Sequence, residues 1–66
     1  MPKVRDAIRF VESDGWVIDR MRGSHRIFLH PTKSGEVVVP GHPSKDLRMK
    51  TWRSILKQAG LREERR

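Results

Sequence analysis

The sequence predicts an α+β domain in which two helices pack on one face of a three-stranded antiparallel sheet, ordered helix, strand, strand, strand, helix. Three observations predict it. Apolar residues recur at helical spacing near both ends of the chain, two β-branched and aromatic runs flank a tight-turn signal in the middle, and a third such run is fenced by glycine and proline.

Val4, Ala7, Ile8 and Val11 hold the i, i+3, i+4, i+7 positions of one helical face, with Pro2 ahead and Gly15 behind as a stop. This predicts a first helix near residues 3 to 13, with Phe10 widening the stripe and Lys3, Arg5, Arg9 and Glu12 in solvent. Trp16 to Met21 reads as a strand, Arg22-Gly23-Ser24 as a turn, and Arg26 to His30 as the returning strand. Pro31 cannot join a ladder and ends that strand; Ser34-Gly35 turns again, and Glu36 to Val39 forms the third strand before Pro40. Ile27 and Leu29 point opposite to Phe28, and Val38 opposite to Val37 and Val39, so both faces carry apolar groups.

Residues 41 to 50 form a polar connection containing His42, Pro43 and Ser44-Lys45-Asp46, with a turn of helix around Leu47. Thr51 is a suitable N-cap for a second helix whose stripe is Trp52, Ile55, Leu56 and Ala59, closed by Gly60 at C′ and Leu61 beyond it. Packing both stripes side by side on one sheet face buries them and leaves the other face for a partner.

With 66 residues the chain makes one domain that buries only about 60% of its unfolded surface. It has little interior to enclose a cofactor or a drug-sized ligand, so a substrate is expected to be a polymer or partner lying across the surface. Fifteen Lys and Arg against eight Asp and Glu give a net charge of +7, which favours polyanions, nucleic acid first. The absence of cysteine excludes a disulfide framework and a thiolate metal site. Lys3 and Arg5 followed at once by Asp6, without a long apolar run, indicate neither secretion nor membrane spanning, so a cytoplasmic protein is expected. The apolar share of 35% and two separated Trp residues suit a globular domain rather than a basic tail; Arg62 to Arg66 is expected to fray.

Gly23-Ser24-His25-Arg26 places an imidazole beside a tight turn and a guanidinium. An imidazole exchanges a proton near neutrality and a guanidinium neutralises a phosphate oxygen, a pairing suited to chemistry on phosphate. From pattern alone the commoner role of such a histidine is structural, its ring bonded to backbone near the turn. His30 reads as a solvated strand end, and His42 can orient RNA, supply a second proton or pack in its loop. The three histidines lack zinc-ligand spacing and no carboxylates cluster with them, so no metal is expected. Arg20, Arg22, Arg26 and Lys33 surround the hairpin and can clamp phosphates on either side of His25; Arg48, Lys50, Arg53 and Lys57 form a second basic group. Trp16 and Trp52 can stack on bases, but their apolar settings assign both to the core.

Several ordered blocks resemble the HicA-type (YcfA-like) toxins of toxin–antitoxin systems over nearly the whole chain. They are Asp14-Gly15-Trp16, Arg20 through His25, Val39-Pro40-Gly41-His42 and Thr51 through Leu61, with Ser54 to Leu61 especially characteristic. The resemblance implies a double-stranded-RNA-binding-type fold and a ribonuclease acting on messenger RNA, held inactive by a HicB-type antitoxin. It implies His25 as the catalytic histidine, with Gly23 and Ser24 shaping the turn that presents it; His42, Arg20, Arg22, Arg26 and Lys33 are RNA-binding candidates from their own charge and position. The chain departs from the family pattern at Lys50, where Gly is expected, and at Gly41, where a larger residue is usual. Metal-free cleavage then needs a base for the ribose 2′-hydroxyl, an acid for the leaving 5′-oxygen and cations around the phosphorus. A non-catalytic RNA-binding module is the alternative; a DNA-binding regulator fits less well, since no helix-turn-helix is visible.

Overall fold

Helix α1 (Val4–Ser13) starts where a distant loop satisfies its first amides. Val4 N donates to Lys45 O (2.9 Å) and Arg5 N to Pro43 O (3.1 Å), while the Asp6 carboxylate accepts from Lys3 N (2.7 Å). A short bridge between Lys3 and Asp46 and a bond from Leu47 N to Pro2 O (2.7 Å) continue this seam. The expected helical turn around Leu47 is therefore an extended bridge, and Leu47 is buried in the core. The computed structural model describes residues 1–61; the expected fraying of Arg62 to Arg66 lies outside them.

Gly15 ends α1 at φ +103°, a conformation that L side chains rarely adopt, and a Cβ there would sit 2.9 Å from the His30 ring. The chain then enters β1 (Val17–Arg22), β2 (His25–Leu29) and β3 (Val37–Val39), an antiparallel meander ordered β1-β2-β3. Gly23, at φ +60°, and Ser24 alone make the first turn, so Arg22 and His25 pair across it. The strands thus begin one residue from their expected limits, and His25 belongs to a strand rather than to the turn. The register shifts between Ile18 and Arg20, a bulge that leaves Asp19 without a partner.

Cross-strand pairs share a face, which divides the sheet into two surfaces. Ile18, Met21, Arg26, Phe28, Val37 and Val39 lie on the inner face, where Phe28, Val37 and Val39 are fully buried. Val17, Arg20, Arg22, His25, Ile27, Leu29 and Val38 lie on the outer one.

Helix α2 (Met49–Gln58) follows Arg48 and starts earlier than the expected Thr51 cap, because the Leu47 bridge has already turned the chain; Thr51 sits in the first turn. Gly60 and Leu61 close it as expected, with Leu61 N donating to Leu56 O (2.8 Å). Its Gln58 Oε1 accepts from Val38 N (2.9 Å), which occupies the outer edge of β3, whereas β1 keeps an open edge. Both helices pack on the inner face against Val4, Ala7, Val11, Trp16, Phe28, Val37, Val39, Leu47, Ile55 and Ala59. Trp16 is core and Trp52 packs against it, 5.6 Å from Phe10, as their settings predict. No helix among the described residues is long and apolar enough to cross a membrane.

His30 departs furthest from expectation. Its side chain is only 9% exposed and stands edge-on to Trp16 at 5.1 Å. Nδ1 accepts from Thr32 N and Lys33 N (both 3.1 Å), so Nε2 carries the proton and donates to Asp14 O (2.7 Å). The ring replaces water for the backbone where β2 leaves the sheet, which explains why this strand end is not solvated.

The Lys33 hydrogen bond (2.6 Å) holds the Asp14 carboxyl below the usual carboxylate range. A carboxyl lowered on folding stabilises the fold fully above its unfolded value of about 3.9, and that contribution is lost as pH falls through the folded value. The thermal midpoint is therefore expected to fall below about pH 4, with Asp14→Asn flattening this part of the profile. Parallel profiles for the two proteins would contradict it.

Candidate functional site

The two-residue turn carries Arg22 and His25 on the outer face at the tip of the hairpin. The His25 side chain is exposed and forms no hydrogen bond or ion pair among the described residues; the same holds for the Arg22 side chain. Its ring is thus open to a ligand, with a guanidinium directly across the ladder.

Arg20 shares that face but is engaged. It donates to Asp19 Oδ2 (2.6 Å) and to Glu36 Oε1 (3.2 Å), and these partners, the Asp19 bond foremost, raise its affinity for its proton. Glu36 precedes β3, so the Arg20 side chain crosses β2 at the level of its ladder partner Ile27. This explains how Ile27, on the face without helices, is only 2% exposed.

Lys33 is not brought to His25. Its ammonium binds Asp14 Oδ2 (2.6 Å) and Ala59 O (3.1 Å), beside His30 at the far end of β2. Five residues of extended chain place that end roughly 16 Å away. There Lys33 neutralises the C-terminal end of α2 and ties it to α1.

Arg26 and His42 lie on the other surface. With Met21, Ser24, Gly41 and Pro43 they line a hollow of about 260 Å³ behind the turn, and Arg26 Nη1 reaches Gly41 O (3.4 Å). Strand alternation separates Arg26 from His25, so His42 does not join His25 as a second proton donor on one face. Met21 and Pro43 escaped sequence reasoning as lining residues; the pairing of Met21 with Arg26 reveals the first, and the return of the 41–45 loop reveals the second. Among the described residues no three His, Asp or Glu side chains gather as a metal ion would require.

Of the second basic group Arg48 is the residue before α2, Lys50 stands in its first turn, and Arg53 and Lys57 lie one turn apart on an exposed face. At Gly41 a Cβ would meet Val4 Cγ2 at an ordinary contact distance of 3.4 Å, so it is the φ of +92° rather than crowding that disfavours the larger residue usual there. Residues 4–61 match the family model described as HicA toxin of bacterial toxin-antitoxin. No curated protein matches the chain.

Proposed function

Because this chain belongs to the HicA toxin family, we propose that it acts in the cytoplasm as an endoribonuclease on messenger RNA, with His25 as its acid or base. The observation that carries this reading is the His25 side chain itself, unbonded among the described residues and exposed beside the Arg22 guanidinium on the outer face.

As base, the imidazole removes the proton of a ribose 2′-hydroxyl, and that oxygen attacks the adjacent phosphorus. The P–O5′ bond breaks, leaving a 2′,3′-cyclic phosphate and a 5′-hydroxyl. Arg22 neutralises charge gathering on the phosphate oxygens. Asp19 and Glu36 are bound to Arg20 and neither meets His25, so His25 exchanges protons alone and water supplies the second transfer. Gly23 and Ser24 present the ring by holding the turn to two residues.

A HicB-type antitoxin would inhibit the toxin by covering the same face. At its other end Val17 and Leu29 are 61% and 41% exposed, which offers an acidic protein apolar contact beside cationic contact.

Labelled RNA and its all-deoxy equivalent test the proposal. Only the RNA should be cut, with cyclic phosphate ends; RNA bound but left intact would make the protein a non-catalytic RNA-binding module. Arg22→Gln is expected to weaken RNA binding and lower its salt slope by about 0.7, the value for one single-strand phosphate contact. Arg20→Gln should leave the slope unchanged and lower the thermal midpoint, since Arg20 covers Ile27. Equal slopes for wild type and Arg22→Gln would remove Arg22 from the phosphate site.

A further inference from the structure

The hollow behind the hairpin turn is unused by the chemistry placed at His25. We propose that it receives one unpaired guanine base of the RNA, next to the phosphate that lies at His25. This deepens the ribonuclease reading and rests on it.

Size sets the first limit. About 260 Å³ falls below the roughly 300–1,000 Å³ of pockets for drug-sized ligands and leaves room for a single base. Met21 and Pro43 supply apolar walls, which suit the faces of a base and offer nothing to a bare phosphate.

Hydrogen-bond polarity sets the second. Ser44 Oγ (3.1 Å) and Ser44 N (3.4 Å) both meet His42 Nδ1; with the amide and the hydroxyl donating to it, Nε2 carries the proton and is the free donor of that ring. Arg26 has donors only, one directed at Gly41 O. Two donor groups converging on one hollow match the O6 and N7 acceptors of guanine, whereas adenine would turn its amino group toward them.

The wall is also held in place. Pro43 O and Lys45 O accept the first amides of α1, and Gly41 O accepts from Arg26, so little ordering remains to be done on binding. Since the turn is two residues long, a strand of RNA bent around Gly23-Ser24 reaches both surfaces. The phosphate then meets His25 and Arg22, and the neighbouring base meets Met21, Arg26 and His42.

The test uses full-length protein carrying His25→Ala, titrated with 5′-GMP, 5′-AMP and inorganic phosphate while the Met21 methyl and His42 ring resonances are followed. GMP should shift both resonances with a dissociation constant about fivefold or more below that of AMP, and phosphate should leave the methyl unmoved. Equal binding of AMP and GMP, a methyl shift with phosphate alone, or no shift with either nucleotide overturns the guanine site. Cleavage by the wild-type chain is scored separately. RNA cut without a GMP response defeats the hollow and spares the ribonuclease, and a GMP response without RNA cutting defeats the ribonuclease while the base site stands.

Discussion

His25→Ala is expected to lower the rate of RNA cleavage by about 10²–10⁴-fold, the usual contribution of a positioned acid or base. The fold should survive. The ring is exposed and unbonded among the described residues, and a surface substitution of this kind changes stability by only about 0.5 kcal/mol. RNA binding should persist as well, because Arg22 and the α2 cations remain in place. The measurement is a single-turnover rate on labelled RNA, paired with an unfolding curve and a binding isotherm on the same preparation. A loss of less than tenfold would mean that another group moves the proton. Of the two other histidines, His30 is committed to backbone and His42 lies behind the turn, so the structure offers neither as a substitute.

Element types were legible because each depends on neighbours in the chain. The stripes of Val4, Ala7 and Val11 and of Ile55, Leu56 and Ala59 bury the faces they predict, and the opposition of Ile27 to Phe28 follows from strand alternation alone. What escaped was set by distant partners. Thr51 has the chemistry of a cap, but the Lys3 to Asp46 bridge starts α2 earlier. Lys33 looks like one more hairpin cation until Asp14, 19 residues away, and the end of α2 engage it. Arg20 likewise looks available until its side chain crosses β2 to meet Glu36. Within the candidate site, Arg26 and His25 are adjacent in sequence and opposite in space. A turn read one residue too long obscures this, because register decides which cations face the imidazole.

His30→Ala is the counterpart to the loss of His25 and should unfold the protein rather than disable it. The substitution removes a ring packed on Trp16 and leaves Thr32 N, Lys33 N and Asp14 O without their partner. Large-to-small changes at buried aromatic positions cost about 3–5 kcal/mol, and the part-buried Lys33 N and Asp14 O add to this when left unsatisfied, whereas the exposed Thr32 N can turn to water. A 66-residue domain has about 3–10 kcal/mol in total, so the variant should lie near or beyond the limit of folding. If it folds, its thermal midpoint should fall by about 12 °C or more. His30→Asn separates the two causes. Its short side chain can keep an acceptor near Thr32 and Lys33 while losing the ring and the bond to Asp14 O, so its midpoint should fall between those of His30→Ala and wild type. A midpoint for His30→Ala within about 3 °C of wild type would show that this ring does not hold the end of β2. The same three backbone groups join α1, β2 and the segment leading to β3, so losing the ring loosens the sheet that sets His25 against Arg22. Any decline in RNA cleavage by His30→Ala should therefore track the unfolded fraction, whereas that of His25→Ala should not.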